Sequence, residues 1–477
     1  MDGVLLLKIA GEIATKSART RRRFLRVLAR NVRAALRRAG VRGAVEPRWS
    51  RLVVRTDDPE RAGRALSAVF GLHSVSEAHP IPPGSLDELV KAAAAASRER
   101  VRGRTFAVRV KRSGDHPFRS PDVATALGTA LLPDSAGVDL DDPEVTVRVE
   151  ASDGEAFVLL DGRPGPGGLP VGVGGRVLSL FSGGFDSPVA TWMAMRRGMS
   201  VDLLVFDLGG CAQVDAALEV ARELATRWGP GVEPAAHVVD LAPVVSALRD
   251  RVDPGIRQVL LKRSMYRAGT VLARRLGCEA LVTGEALGQV STQTLRNLTV
   301  ADEAAGVPVL RPLVGMDKEE IIGRARTIGT HDASERVQEH CAISTGRVDT
   351  AAKLGQVLTA EGRIDESFIH AAVDGSTSID LLGWTPGPPP GHVIEDIPEG
   401  AVVVDVREPG EGEVVGDVRL PFSRVAEWGP GLDPERTYVF VCSHGNRSEM
   451  VAHDLRARGM SAYSLAGGAG RVPTRAA

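Results

Sequence analysis

The 477-residue sequence has only four cysteines, and long intervals separate them. Cys211, Cys278, Cys341 and Cys442 lie 67, 63 and 101 residues apart, which excludes a disulfide-stapled secreted scaffold and a zinc ribbon. No CxxC pair occurs, so a thiolate-held iron–sulfur cluster is disfavoured, although distant cysteines can converge in space. No run of about 18 uncharged apolar residues is present, and the N-terminal apolar stretch meets charge too soon for a signal peptide. A cytoplasmic protein is expected. Net charge is scarce as well: 59 basic residues meet 60 acidic ones, giving -1, which taken alone argues against a nucleic-acid partner.

What the chain does have is apolar content for several cores, at 43%, with 25% charged residues. At roughly 150 residues per domain, about three domains are expected. The near-neutral average hides an asymmetry. Residues 1–60 carry 15 basic and 6 acidic side chains (+9), residues 61–170 carry 13 and 15 (-2), and residues 171–477 carry 31 and 39 (-8). Between Lys16 and Arg42 there are eleven basic residues and no acidic one. The periodicity predicts a helix over 19–38, with Leu25, Leu28, Val32 and Leu36 on one stripe and Arg22, Arg26, Arg30, Arg33 and Arg37 on another. A polyanion laid along that second stripe would relieve its self-repulsion and release counterions. The plain alternative is a solvated face in a chain that uses 52 arginines and only 7 lysines.

Helix and strand patterns alternate through residue 160, as expected for small α+β modules. Residues 162–175 hold seven glycines and three prolines and read as a linker. Beyond them, apolar runs at 177–181, 201–206, 237–240 and 280–283 with helical crossovers predict a parallel sheet covered on both faces. Residues 385–392 (TPGPPPGH) read as a second, stiffer linker. The runs at 401–406 and 437–442 then predict a small terminal α/β domain.

The first parallel strand leads into Ser182-Gly183-Gly184-Phe185-Asp186-Ser187, with Pro188 suited to the first turn of the following helix. Glycines admit close backbone approach, and the amides of a helix start face phosphate oxygens. A bare Gly-Gly turn can also be only a tight connection. The loop lacks the lysine of GxxxxGK[ST] and the spacing of GxGxxG, so the ordinary kinase and dehydrogenase fingerprints do not fit.

It does match the SGGxDS loop of the PP-loop pyrophosphatases. With EIATKS at 12–17, RTFAVRVKR at 104–112, TGEALGQVSTQTL at 283–295, DKEEII at 317–322 and a rhodanese-like end, the chain resembles the tRNA 4-thiouridine synthetase (tRNA sulfurtransferase) family. The resemblance implies an α/β multidomain protein. Its parts would be an N-terminal ferredoxin-like module (1–60), a THUMP RNA-binding module (61–165), a central parallel-sheet PP-loop adenylation domain (171–384) and a C-terminal rhodanese-like α/β domain (393–477). It further implies ATP and Mg2+ as cofactors, with Leu180, Phe181, Ser182, Gly183, Gly184, Asp186 and Ser187 at the nucleotide and Lys262, Gly284 and Gln293 as further contacts. Lys318 would stabilise charge in adenylyl transfer, or be an ordinary lysine on an exposed helix.

At the far end, Cys442 ends a strand and opens the loop Cys442-Ser443-His444-Gly445-Asn446-Arg447-Ser448. Inward amides and Arg447 suit an anionic sulfur or persulfide, and the pattern resembles the rhodanese loop whose cysteine carries sulfur. The resemblance gives Cys341 the role of second redox cysteine, forming a disulfide with Cys442 at the end of the reaction. Cys211 and Cys278 have no matching role and read as packing residues. The expected partners are tRNA, a cysteine desulfurase that loads the persulfide, and a second copy of the chain. Expected chemistry is sulfur transfer to uridine 8 through an adenylated uridine. A sulfur-carrier protein for thiamine thiazole synthesis is an additional or competing acceptor, and a binding protein with a degenerate catalytic unit is a third reading that the intact loop opposes. The final residues, from Ala466 on, leave little chain for a closing rhodanese helix.

Overall fold

The computed structural model describes residues 3–48, 51–152, 154–208, 211–232, 234–337, 348–386, 391–443 and 445–472, which fall into two compact units. The first comprises residues up to Gly174 together with 196–198 and 230–232. Its eight-stranded sheet runs in the spatial order Gly43–Pro47, Arg51–Thr56, Gly3–Ile9, Leu72–Ile81, Glu155–Pro164, Val145–Ser152, Thr105–Ser113, Gly137–Val138. Gly3–Ile9 is antiparallel to both neighbours, whereas Thr105–Ser113 is parallel to both of its own. The arginine-rich helix spans Ala18–Arg38, opened by Ser17, whose side chain accepts from the Thr20 amide. Its apolar stripe, Phe24, Leu28, Val32 and Leu36, packs on Leu7, Leu52 and Val54. Each such fully buried side chain contributes about 1.5–3 kcal/mol. Arg22, Arg26, Arg30, Arg33 and Arg37 face solvent on the other side. Helices Leu86–Val101 and Ser120–Leu131 bury Leu89, Val123 and Leu127 against Phe106, Val147 and Val149 in a second core.

The expected linker at 162–175 is corrected. Residues up to Pro164 complete a strand paired with Leu72–Ile81, and the rest is pinned by hydrogen bonds: Gly165 N donates to His73 O, Gly167 N to Leu72 O, and the buried Asn31 Nδ2 to Val171 O. Glycine and proline here serve close backbone contact, a composition that also marks linkers.

The second unit contains two further sheets. The six-stranded one runs Val309–Leu310, Ala280–Val282, Arg176–Leu180, Ser200–Asp207, Ala235–Asp240, Thr377–Asp380, parallel except for the last strand. Buried Leu178, Leu203, Leu204 and Leu281 explain the continuous apolar runs. The five-stranded sheet, in order Val393–Ile394, Ser461–Leu465, Thr437–Val441, Val402–Asp405, Val418–Arg419, is wholly parallel. Ligands of parallel sheets bind beyond the carboxyl ends of the strands, and the loops after Leu180 and Val441 leave their sheets at that edge.

Candidate active site

From the strand Arg176–Leu180 the chain turns through Ser182, Gly183 and Gly184 into the helix Asp186–Arg196. Gly183 has φ +80°, and a Cβ there would stand 2.7 Å from Ala217 Cα, so the turn demands glycine. Ser187 Oγ accepts from the amides of Ser182 (3.1 Å) and Gly183 (3.2 Å), curling the loop over the helix start. Thr191 Oγ1 donates to Ser187 O at 2.7 Å and pairs with Ser179 Oγ at 2.8 Å, tying helix to strand. The opening amides of a helix have no partner within it, which leaves this start as a donor cluster for an anion.

Asp186 is the charged member. Lys318 Nζ lies 2.9 and 3.2 Å from its two oxygens, and Gln289 Nε2 donates to Oδ2 at 3.2 Å. Lys318 opens the helix Lys318–Ile328, whose Asp317–Glu320 capping box fixes its first turn. A cation at a helix start opposes the dipole, so this placement answers to Asp186 and to the Phe185 ring 5.6 Å away. Of the two readings of Lys318, the structure brings it to the loop.

Gly284 meets the loop directly, and Lys262 reaches the residue that follows it. A Cβ on Gly284 would lie 2.8 Å from both Asp186 C and Ser187 N, so the strand end of Ala280–Val282 abuts the loop backbone directly. Lys262, on helix Pro254–Leu276, points its ammonium at Glu285 Oε1 (2.5 Å). Tyr266, Arg311 and Thr283 complete the surroundings of that carboxylate. Burial opposes ionisation of Glu285, yet Lys262, Tyr266 and Arg311 hold it down to about 2. Gln293 Oε1 accepts from the Ala286 amide (3.3 Å), bracing the loop that carries Glu285 and Gln289. Sequence reasoning missed Glu285, Gln289, Tyr266 and Arg311. The first two stand inside the TGEALGQV motif and Tyr266 follows Lys262 by one helical turn, but Arg311 has no motif around it.

Leu180, Phe181 and Ser182 line a cleft with Val205, Phe206, Leu208, Gln213, Ala217 and Met265. One wall is therefore apolar and the adjoining loop rich in amides, a combination that fits a nucleobase joined to phosphates. Among the described residues no group of three or more His, Cys, Asp or Glu side chains could hold a metal ion.

Cys442 belongs to the five-stranded sheet. It follows Thr437–Val441, is buried, and its Sγ accepts from the Gly445 amide at 3.2 Å. Ser448 Oγ lies 3.6 Å from the sulfur and 2.8 Å from Ser464 Oγ, inside the helix Asn446–Ala457. Arg447 does not stand free beside the sulfur: Glu411 takes it in a two-pronged pair at 2.8 and 2.5 Å. Buried Asp405 ends the next strand and binds Arg407 and Arg419, which overcome its burial and hold it well below the usual carboxylate range. Cys341 lies outside the described residues. Cys278 is buried, and burial with Asp202 nearby pushes its thiol up to about 11, in keeping with a packing role.

A parallel sheet with an SGGxDS loop between its first strand and helix defines a nucleotide-binding α/β protein of the PP-loop class, here preceded by ferredoxin-like and THUMP modules. Comparison with known proteins carries this further. The profile described as Thiamine biosynthesis protein (ThiI) matches residues 172–365, the THUMP domain 84–161 and the ThiI ferredoxin-like domain 4–76. A tRNA sulfurtransferase of Desulfurococcus amylolyticus is 39% identical over 476 residues, covering 98% of this chain and 97% of its own. One from Pyrobaculum aerophilum is 38% identical, with 97% and 96% covered. Among solved structures, a 4-thiouridine synthetase–RNA complex with bound ATP aligns with TM-score 0.71 and 26% identity, over 80% of this chain and 99% of that one. The chain belongs to the tRNA sulfurtransferase family. Among the described residues no helix is long and apolar enough to cross a membrane.

Proposed function

We propose that the protein uses ATP to transfer persulfide sulfur to a uridine of tRNA, expected to be uridine 8, giving 4-thiouridine through an adenylated uridine. The observation that carries this reading is the Ser187-clamped glycine loop with Asp186 and Lys318 beside an apolar cleft. Oxide is a poor leaving group, so uracil O4 first attacks the α-phosphorus of ATP and pyrophosphate departs. The helix-start amides and Lys318 offset the charge that builds on the phosphates. Magnesium would come with the triphosphate, with Asp186 the loop carboxylate suited to it, and would add charge neutralisation. The outer sulfur of a Cys442 persulfide then attacks C4 and AMP leaves. Attack of a second thiol, Cys341, on the Cys442 sulfur would release the thiouridine and leave a Cys341–Cys442 disulfide, which an external thiol must reduce before the next turnover. Sulfide released from the persulfide by reduction is the alternative nucleophile.

A cysteine desulfurase would load Cys442 in its rhodanese-like domain, and the exposed arginine stripe of Ala18–Arg38 with the THUMP module would hold the tRNA by phosphate and shape contacts. A homodimer, a cytoplasmic setting and a further transfer of sulfur to a thiamine-pathway carrier protein belong to the same proposal. The test is incubation with unmodified tRNA, ATP, magnesium and a persulfide donor, followed by nucleoside analysis. The expected result is 4-thiouridine with one AMP per sulfur inserted. Equal product without ATP, or undiminished product from Asp186→Ala, would overturn the reading.

A further inference from the structure

Glu285 is 5% exposed, yet both of its oxygens are engaged. Oε1 accepts from Lys262 Nζ at 2.5 Å; Oε2 accepts from Tyr266 OH at 2.6 Å, Arg311 Nε at 2.7 Å and Thr283 Oγ1 at 3.0 Å. The donors come from three elements: Lys262 and Tyr266 one turn apart on helix Pro254–Leu276, Thr283 just past strand Ala280–Val282, and Arg311 just past Val309–Leu310. Two cations thus share one buried carboxylate, and Arg311 is matched on its outer side by Asp302. Lys262 has no such second partner among the described residues. Its ammonium carries three donors and keeps 20% side-chain exposure, so part of its hydrogen-bonding capacity is left over. The residue before Glu285 is Gly284, which touches the loop backbone at Asp186 and Ser187. The carboxylate is therefore fixed one residue away from the phosphate loop.

We propose that Glu285 is a positioning residue for the nucleotide: its carboxylate, on the residue after the Gly284 that abuts the loop, holds the Lys262 ammonium, braced by Arg311, for a triphosphate bound at that loop. The proposal rests on the reading that ATP binds at this loop. Without the carboxylate, two partly buried cations would repel each other and turn away from the site. Acting through Lys262 predicts a specific dependence: the effect of removing Glu285 should vanish when Lys262 is already gone.

The experiment measures ATP affinity by calorimetry for the full chain and for Glu285→Gln, Lys262→Met and the double variant, with melting temperatures recorded for all four. Glu285→Gln should weaken ATP binding by about tenfold in the wild-type background and by less than about twofold in the Lys262→Met background. Tyr266→Phe, which removes one donor and keeps both cations, should give a smaller loss of the same sign, and serves if Glu285→Gln does not fold. Independent, multiplicative losses would overturn the proposal, since Glu285 would not then act through Lys262. Tighter binding by Glu285→Gln would also overturn it, showing that the carboxylate only screens the cations. Absence of ATP binding by the wild-type protein would instead defeat the reading of the loop.

Discussion

The close approach of Gly284 to the loop makes Gly284→Ala an informative perturbation. Its φ is not in the left-handed region, so alanine adds a methyl group without backbone strain and the effect is steric. The added Cβ would stand 2.8 Å from Asp186 C and Ser187 N and 3.0 Å from Asp186 Cβ. Ordinary contact begins near 3.4 Å, so the strand end or the loop must yield by about 0.6 Å, and the two nearest atoms in the way are backbone. Overpacking of this kind costs about 1–3 kcal/mol of stability. Displacement of catalytic groups by about 1 Å costs on the order of a hundredfold in rate, so a loss of roughly 10- to 100-fold in kcat/KM for ATP is expected. Pyrophosphate release with saturating tRNA reads the rate, and urea unfolding reads the stability. Gly323→Ala, on helix Lys318–Ile328 where an added Cβ meets nothing within 4 Å, is the control and should leave both unchanged or slightly improved. A Gly284→Ala protein with kcat/KM within about twofold of wild type would refute the steric argument.

Three further outcomes are expected. Cys442→Ser should abolish the mass gain of one sulfur atom after incubation with a persulfide donor while leaving ATP binding intact; retained sulfur loading would remove Cys442 as carrier. Arg26→Glu combined with Arg30→Glu should weaken tRNA binding and flatten its salt dependence, by roughly 0.7–0.9 in log–log slope for each phosphate no longer neutralised; an unchanged slope would make that face merely solvated. Glu285 ionises at about 2 in the fold against an ordinary 4.5, since Lys262 and its companions outweigh the opposing burial. A depressed carboxylate stabilises fully above its unfolded value, so this contribution is present above pH 4.5 and fades as pH falls toward 2. Urea midpoints followed through that acid range should fall less steeply in Glu285→Gln, and an equal slope would contradict the pairing.

The strands of the second unit were readable because a sheet covered on both faces needs continuous apolar runs, and 201–206 and 437–442 supply them. Edge strands escaped: Val309–Leu310 has two residues, and Thr377–Asp380 is mostly exposed, so neither carries a run. Residues 162–175 misled because the same glycines and prolines serve a free linker and a backbone pinned against its neighbours. At the site, the loop was legible from its own local pattern. A helix carrying Lys318 was expected too, but not the direction of its side chain. Arg311 was invisible because its place depends on strand order, which pairs Val309–Leu310 with Ala280–Val282 across nearly thirty residues of chain.

The loops after Leu180 and Val441 share a construction that parallel strands impose. Adjacent parallel strands end on the same edge, so the loop leaving one strand must pass the loop leaving its neighbour. Beside Arg176–Leu180 the neighbour is Ala280–Val282, and Gly284 stands against the Asp186–Ser187 backbone. Beside Thr437–Val441 the neighbour is Ser461–Leu465, and a Cβ on Gly468 would clash with Cys442 O, to which Ala469 N donates at 2.8 Å. In each case a serine hydroxyl from the first turn of the following helix, Ser187 or Ser448, reaches back into the loop. In both places the side of the loop that faces the neighbouring strand is closed by a glycine backbone, with no room for a side chain. Substitutions at Gly284 and Gly468, behind the loops, should therefore cost activity as substitutions within the loops do.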